Sequence, residues 1–416
     1  MTCIWYIFPE AGGPGLGRSF RPYMLSRAWI SMGHEVHVIC ASWHHLQDDE
    51  HEHNGDVEID GVPYHFVKVN RYSGNGFSRL RSMWSFPRSM IRDSRFFDGR
   101  ITRPDVIICT SPHLFSWPAA KKLAARWDSF LVFEVRDIWP LSLIELAGVP
   151  RWHPLIWWLK RIERNAYREA DLITSLLSGA FEHISTFGVP PERFSFIPNG
   201  IDRSIIEGQP IIDSKLSNML RRLKAEGRFI IIYSGSLGPP NALERLLDAA
   251  LELRLQKNND IVFLVVGKGI LKEELVCTVE AENLNDIVLF HDPVPKRELL
   301  GCLHLADLGY IGWRDRQIYR FGISPNKLFD YLFTGLPVLQ AIDSQHDLLT
   351  AARVGITVRS YRPEAIAEAI LEFKNMSQEE RRAIGEKGRA WVLQNHDYQV
   401  LAAKYLEAVA NRRVTK

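Results

Sequence analysis

The chain has 416 residues, 46% of them hydrophobic and 24% charged, with a formal net charge of only +2. Such a length is too great for one ordinary core and predicts two domains of roughly 200 residues each. The near-neutral balance argues against a dedicated nucleic-acid binder, and no apolar run approaches the roughly 18 residues needed to span a bilayer.

The five cysteines, Cys3, Cys40, Cys109, Cys277 and Cys302, are scattered in apolar contexts without CxxC spacing and read as buried reduced thiols of a cytosolic protein. The start, MTCIWYIFPE, has no basic stretch before its apolar run and reads as a strand rather than a signal peptide.

Cys3 to Phe8 is a β-branched and aromatic run, followed by the loop PEAGGPGLGR and a helical pattern from Ser19 to Met32. Strand, glycine loop and helix form the opening of a nucleotide-binding α/β unit. Gly12, Gly13, Gly15 and Gly17 do not fit the GxGxxG spacing, so the dinucleotide fingerprint is absent, but they let a ligand approach the backbone closely. Glu35 to Ala41 is the next buried strand, and Asp56 to Val69 reads as a hairpin turning at Asp60-Gly61. Strand Asp105 to Cys109 leads into Thr110-Ser111-Pro112-His113, a loop at the strand end where open α/β sheets place their ligands. Helix Trp117 to Trp127 and strand Phe130 to Val135 follow, and the charged pair Arg136-Asp137 just past the strand is either a site or a salt bridge tying a loop down. Helix Leu155 to Ala170, strand Leu172 to Ser175, helix Gly179 to Phe187 and strand Phe194 to Ile197 complete the first half. The turn Pro198 to Asp202 opens a polar connection that reads as an interdomain linker.

The pattern then restarts. Strand Phe229 to Tyr233 runs into the small-residue loop Ser234 to Gly238, with helix Leu243 to Gln256 behind it. Strand Ile261 to Val266, loop Gly267-Lys268-Gly269, a helix to Ala281, strand Ile287 to Phe290, helix Lys296 to Leu305 and strand Leu308 to Ile311 follow. In SPNKLFDYLFTGLPV, Ser324 and Pro325 suit an N-cap and first helical position, and Gly335 and Pro337 stop the helix. Phosphate binds readily at such a helix start, and Lys327 adds a full charge there. Asp330, on a neighbouring face, suits sugar hydroxyls; an ordinary capped helix packing Leu328, Phe329 and Leu332 into a core gives the same pattern. Strand Val338 to Ala341 and helices Pro363 to Lys374, Gln378 to Gln394 and Asn395 to Asn411 end the chain, the last crossing back to the first domain. The expected fold is therefore α/β, with two doubly wound, Rossmann-like domains facing across a cleft: residues 1–203, 204–394, and a returning helix within 395–416.

Five pieces in this order, FPEAGGPGLGRSFRPYMLSRAWISMGHEVHVIC, FIPNGID, YSGSLGPPNALERLLDAA, VVGKG and SPNKLFDYLFTGLPVL, resemble the retaining GT-B glycosyltransferases of the large family numbered four. The resemblance covers nearly the whole chain. EVRDIWP and SPNKLFDY look closest to a WbuB-like branch, similar to the N-acetylfucosamine transferases of bacterial O-antigen and capsule assembly. The resemblance implies transfer of a sugar from a nucleoside diphosphate sugar with retained anomeric configuration. It puts the donor against Gly17, Gly235, Ser236, Lys268, Val294, Ser324, Asn326, Lys327 and Asp330, with the base near His291 to Val294. The acceptor would enter beside Gly13, Gly15 and His113, with Arg136, Asp137 and Lys327 as the catalytic groups.

Three positions depart from the family pattern. Of its two glutamates eight positions apart, the second is Asp330 and the first is Gly322; no Lys or Arg lies between Ser236 and Leu243; and Arg136 stands where a histidine is common. Phosphate neutralisation then falls to Lys327 ahead of Lys268 or Arg320. No single general base stands out, which suits an internal-return route in which the departing phosphate takes the acceptor proton. No DxD-type element stands at a strand end, because Arg314-Asp315-Arg316 offers one acid between two arginines, so neither a metal nor another cofactor is expected.

Between Arg71 and Arg168 there are seventeen Lys and Arg against eight Asp and Glu. Arg79 to Phe97 and Arg151 to Arg168 interleave these cations with Trp, Phe and Ile, which suits the headgroup zone of an anionic membrane. Trp157, Trp158, Lys160 and Arg161 are the expected contacts, although Trp157, Trp158 and Ile162 packing inward would leave the same sequence. His44, His45, His51 and His53 lie among acids in what reads as a flexible polar loop with no metal-ligand spacing.

The resemblance, taken with the basic aromatic stretches, implies a retaining transferase carrying an N-acetylated or deoxy sugar from UDP to a polyprenyl-diphosphate-linked glycan, peripheral on the cytoplasmic face of a bacterial membrane, with no nucleic-acid partner. A nucleotide-sugar 2-epimerase of the same fold and a non-catalytic glycan-binding scaffold are the competing expectations.

Overall fold

A computed structural model describes residues 1–47, 52–71, 77–111, 113–205 and 213–414. The chain divides into two compact units, one of residues 1–198 and 398–416, the other of 199–397.

The first unit is built on eight strands, β1 (Cys3–Ile7), β2 (Glu35–Ala41), β3 (Gly55–Ile59), β4 (Val62–Val67), β5 (Val106–Thr110), β6 (Phe130–Val135), β7 (Leu172–Ser175) and β8 (Phe194–Phe196). They lie in the order β3-β4-β2-β1-β5-β6-β7-β8, and the β3–β4 hairpin is the antiparallel pair. Its turn sits at Asp60 and Gly61, with φ of 46° and 79°, as the sequence predicts. β1, β5 and β6 are buried along their whole length, which explains why they read as unbroken apolar runs: helices cover both faces of a parallel sheet. The helices are α1 (Arg21–Ser31), α2 (Phe77–Arg92), α3 (Trp117–Trp127), α4 (Leu141–Glu145), α5 (Pro154–Glu169) and α6 (Ala180–Ser185).

A buried ionic knot holds the middle of this sheet. Arg21 at the start of α1 gives Nε and Nη2 to Glu134 of β6 at 3.2 and 2.9 Å and bonds the carbonyls of Ile197 and Pro198. Glu134 also accepts from the Tyr6 and Thr110 hydroxyls at 2.7 and 3.0 Å. Burial alone would raise the Glu134 pKa, but Arg21 and these hydrogen bonds hold it below the ordinary value.

The second unit alternates α7 (Lys215–Ala225), β9 (Phe229–Ser236), α8 (Leu243–Leu255), β10 (Ile261–Lys268), α9 (Lys272–Ala281), β11 (Val288–His291), α10 (Lys296–Cys302), β12 (Leu308–Gly312), α11 (Asn326–Phe333), β13 (Val338–Ala341), α12 (Leu348–Ala352), β14 (Gly355–Val358), α13 (Pro363–Asn375) and α14 (Gln378–Asn395). Its all-parallel sheet runs β11-β10-β9-β12-β13-β14. Successive residues of β9 and β10 enter opposite cores: Ile231, Tyr233, Phe263 and Val265 pack in one, Ile230, Ile232, Val262 and Leu264 in the other.

The last helix, α15 (Tyr398–Val414), belongs to the first unit. Trp29 of α1 holds it there, donating its indole N–H to the Ala402 carbonyl at 3.1 Å and meeting the Tyr405 ring edge-on at 5.4 Å.

Several elements differ from expectation. The stretch read as a linker contains α7, and α12 and β14 are additional elements. β9 and β10 run past Tyr233 and Val266 to Ser236 and Lys268, so the glycine segments read as loops are the paired ends of strands. Among the cysteines, Cys277 on α9 is exposed, contrary to the buried reading.

Candidate functional site

The second unit gathers its chemistry at the C-terminal ends of β9 and β10 and the start of α11. Gly235 and Gly267 are register partners with φ of 141° and 159°, and a side chain on Gly267 would collide with the Gly235 carbonyl. The hydroxyl of Tyr331 on α11 reaches the same corner, where its oxygen accepts the Ser234 N–H at 2.7 Å. Its ring fits over β12 because Gly309 has no side chain to meet it. This contact fixes the start of α11 beside Gly235.

Helix α11 begins one residue later than the sequence suggests. Pro325 is the N-cap, extended at φ −74° and ψ 134°, and no side chain caps the helix. Ser324 is engaged elsewhere: its Oγ accepts the Asn199 N–H at 3.0 Å and its carbonyl accepts Asn199 Nδ2 at 2.7 Å. The result is an amino-terminal helix end with uncapped first-turn amides, an anion-binding arrangement.

Lys327 occupies that first turn. Its Nζ lies 3.9 Å from the centre of the Tyr233 ring and 3.1 Å from Asn241 Oδ1, and a Cβ on Gly235 would come within 3.1 Å of it. The side chain keeps some exposed surface, but protein encloses its ammonium and burial lowers its pKa from 10.5 to about 7. A cation held partly discharged beside a helix start is well placed to gain a proton when a phosphate arrives.

The other donor-side expectations divide. Register puts Ser236 opposite Lys268, and Leu237 donates its N–H to the Lys268 carbonyl at 2.9 Å, so Gly235, Ser236, Lys268, Asn326 and Lys327 share one corner. Asp330 is buried and ion-paired to Lys296 at 2.9 Å. Val294 is half-buried against the core on the α11 side of the sheet. Gly17 belongs to the first unit, where it packs beneath the Leu46 carbonyl and pairs with Gly13. Gly322, at φ 86°, occupies the place of the family's first glutamate in a conformation that suits glycine.

In the first unit, polar groups converge at the ends of β1, β5 and β6. Glu10 follows β1 and is buried, and burial lifts its pKa from 4.5 to about 7 against the pull of Arg79 and Arg136. His45 Nδ1 lies 3.6 Å from Glu10, and Arg79 Nη2 lies 3.5 Å from His45 Nε2. Arg136 stacks over the Phe8 ring at 4.6 Å, and its enclosed Nη1 has no hydrogen-bond partner. Ser111 Oγ accepts the N–H groups of Arg136 and Asp137 at 2.8 and 3.3 Å, which aims both side chains. Asp137 is exposed, and partial desolvation of its carboxyl by the surrounding protein raises its pKa against the pull of Arg136. His113 is buried with an unpartnered Nδ1; burial, aided by Arg79, drives its pKa down to about 3, so it is neutral. In the glycine loop, Gly12 and Gly13 are buried and Gly15 is exposed at φ 72°.

A family profile described as "Glycosyltransferase Family 4" matches residues 21–205, and one described as "Glycosyl transferases group 1" matches residues 217–391. The chain is a glycosyltransferase of the family-four type. It is 25% identical over 298 residues to the putative colanic acid biosynthesis glycosyl transferase WcaI of Escherichia coli K12, covering 67% of this chain and 70% of that protein. Among solved structures, sucrose-phosphate synthase from Thermosynechococcus elongatus matches all of both chains with a TM-score of 0.74 at 14% identity. HepE of Anabaena, in complex with UDP-glucose, matches with a TM-score of 0.67 at 14% identity over 99% of this chain and 100% of its own. These structures share the GT-B fold with this glycosyltransferase. An epimerase is not favoured, since both profiles and the WcaI relative describe transferases.

The basic, aromatic stretches of the transferase are sorted by the fold. On α5, Ile156, Leu159, Ile162 and Ala166 face inward, while Trp157 is 69% exposed with Lys160, Arg161, Arg164 and Arg168 on the outer face. Trp158 departs from the expected set: it is half-buried, stacked on Trp84 of α2 at 5.1 Å and against Phe115 at 5.3 Å. Beside Trp84, a groove of about 390 Å³ is lined by Lys68, Arg81, Arg88 and Arg92 and contains no acid. Arg79 and Arg95 instead turn to His45 and to Asp93 and Asp56. No helix among the described residues is long and apolar enough to cross a membrane.

Of the histidine cluster, His51 lies outside the described residues. His44 is buried rather than solvated, with Nε2 3.2 Å from the Ala11 carbonyl, and burial lowers its pKa to about 4. Among the described residues, Cys3, Glu35 and His37 bring ligand-type atoms within 4.8 Å. His37 is already bonded to Glu35 and His65, both at 2.9 Å, and His65 to Asp56.

Glu10, Tyr233 and Asn241 were missed by sequence reasoning. Glu10 carried a signal, an acid two residues past a buried strand; Asn241, in a Pro-Pro-Asn turn, carried none.

Proposed function

We propose that this glycosyltransferase moves a sugar, with retention, from a UDP-linked donor to a polyprenyl-diphosphate-linked glycan in bacterial surface polysaccharide assembly. The observation that carries the reading is the Lys327 ammonium at the uncapped start of α11, against the Gly235 backbone. As the glycosidic C–O bond breaks, negative charge grows on the departing diphosphate. Amides and an ammonium fixed in advance at that point lower the barrier. Neutralisation by Lys327 makes a metal ion unnecessary, and Asp330, held by Lys296, is available to the ribose side.

On the acceptor side, Arg136, Asp137, Glu10 and neutral His113 supply the groups for sugar hydroxyls. UDP is supported by the fold shared with HepE, whose structure holds UDP-glucose, and a surface polysaccharide by the colanic acid relative. An N-acetylated or deoxy donor follows the WbuB-like signature of EVRDIWP and SPNKLFDY. The outward Trp157, Lys160 and Arg161 and the acid-free groove of α2 suit an anionic bilayer, where a lipid-linked acceptor resides. The protein would then act as a peripheral enzyme on the cytoplasmic face.

Incubation of purified protein with UDP-N-acetyl sugars and a polyprenyl-diphosphate-linked acceptor in anionic vesicles, read by mass spectrometry and anomeric NMR, tests the reading. Transfer with retention, lost in a folded Lys327→Gln variant, is expected. Donor turnover that is equal in the variant refutes the role of Lys327, and binding of glycan without any turnover returns the protein to the scaffold reading.

A further inference from the structure

The second unit has another polar hollow, of about 290 Å³, bounded by the start of α8, the segment after β12 and the residues after β14. Ala242, Glu244 and Arg245 come from α8, Trp313 to Arg316 from the end of β12, and Ser360 and Tyr361 follow β14. Lys327 is not part of the wall of the hollow, although Asn241, the partner of Lys327, immediately precedes Ala242 there.

Its unsatisfied side-chain groups, the Ser360 hydroxyl and the Trp313 indole, can both donate. Ser360 is only 2% exposed, yet its Oγ has no hydrogen-bond partner. Trp313 Nε1 is likewise buried and unpaired, and an indole N–H can only donate. The N-cap of α8, Ala242, takes a left-handed conformation (φ 46°, ψ 43°) and no side chain caps this thirteen-residue helix. Arg245, Arg314 and Arg316 line the hollow against Glu244 and Asp315. Arg314 is paired with Glu244 at 3.0 Å and Arg245 with Asp248 at 3.1 Å, while Arg316 is exposed and forms no ion pair among the described residues. Tyr361 accepts from Arg359 at 2.9 Å and keeps its own O–H to donate. Leaving buried donors unmade is costly, at roughly 1–3 kcal/mol each, and an acceptor-rich ligand removes that cost.

We propose that this hollow is a second anion site, for a small phosphate-bearing molecule whose oxyanion is held by Ser360, Trp313, Arg316 and the first amides of α8. Its volume, at the lower edge of ligand-pocket sizes, leaves room for one sugar ring beside the phosphate, against Trp313 and Tyr361. The occupant is either free phosphate or a sugar phosphate.

Calorimetric titration of the full chain with inorganic phosphate, glucose 6-phosphate and glucose distinguishes these. Saturable binding of the phosphorylated ligands but not of glucose is expected, weakened about tenfold in both Arg316→Gln and Ser360→Ala and unchanged in Lys327→Gln. Tighter binding of the sugar phosphate than of phosphate assigns the ring as well, and equal affinity assigns free phosphate. Arg316 is exposed, so its variant folds and keeps the test decisive. The proposal is overturned by the absence of saturable binding at about 10 mM, or by binding that is lost in Lys327→Gln and kept in Arg316→Gln, which would place the anion at the donor corner.

Discussion

If Lys327 is the counter-ion of the donor diphosphate, donor affinity must depend on pH in a defined direction. Burial holds the free amine at about 7, whereas a bound diphosphate requires the ammonium. Above pH 7, binding must therefore draw a proton from solvent, and each further unit weakens it about tenfold, or ~1.4 kcal/mol. At pH 9 the deficit is about a hundredfold, ~2.7 kcal/mol. Calorimetry with UDP between pH 7.5 and 9, in two buffers of different ionisation enthalpy, measures both Kd and proton uptake. The terminal phosphate of UDP, with a pKa of about 6, is already ionised over this range, so the proton counted belongs to the protein. Uptake approaching one proton is expected above pH 8. Lys327→Arg should bind with a flat pH profile, because a guanidinium stays charged. Stability runs the other way: the depressed pKa means that the unliganded fold gains stability as pH rises from about 7 towards 10.5 and loses it as pH falls through 7. A wild-type Kd constant within about twofold from pH 7.5 to 9, with no proton uptake, would refute the reasoning.

Gly235→Ala should weaken UDP binding by at least about tenfold, because φ is 141° and the new Cβ would lie 3.1 Å from Lys327 Nζ; unaltered calorimetric affinity would remove Gly235 from the site. Glu134→Gln strands the Arg21 charge in the core and should cost about 3–5 kcal/mol in urea unfolding, and a loss below about 1 kcal/mol would show that the knot is dispensable. Glu10 has a raised pKa, so its contribution to stability is present below about 4.5 and is lost as pH rises through 7; Glu10→Gln should flatten the corresponding fall in Tm between pH 5 and 7.5, and an identical pH profile would contradict its burial cost. Replacing Trp157, Lys160 and Arg161 together, with Trp158 retained, should abolish co-sedimentation with anionic vesicles at unchanged Tm; persistent binding would move the membrane face elsewhere.

The two-unit α/β architecture was legible because strands buried on both faces read as unbroken apolar runs and their helices carry period-3.6 faces. What escaped lacked those signals. β14 is four half-buried residues at a sheet edge, and α7 opens with a capping box whose third position is Ser217 rather than the Glu or Gln that marks the motif. The start of α11 was misplaced by one residue because Ser324 has the chemistry of a cap but is taken by Asn199, a partner 125 positions away that no local window contains. Lys327 was legible as a cation at a helix start; its low pKa was not, since that depends on Tyr233 and the backbone of Gly235 enclosing it from another element.

Trp157 and Trp158 make the same point within one helix. Adjacent residues on a helix diverge by about 100°, so neighbours with identical chemistry meet different surroundings. Trp157 projects outward with Lys160 and Arg161, at spacings of three and four, while Trp158 turns back onto Trp84 and Phe115. That packing ties α5 to α2, and it places the exposed indole of Trp157 on the same helix whose partner carries the Arg81, Arg88 and Arg92 groove. One tryptophan thus serves as the brace that holds two basic helices together, and the other is free to enter a headgroup layer. Composition alone distinguishes neither role, because the division is made by the helical turn and by which face α2 covers.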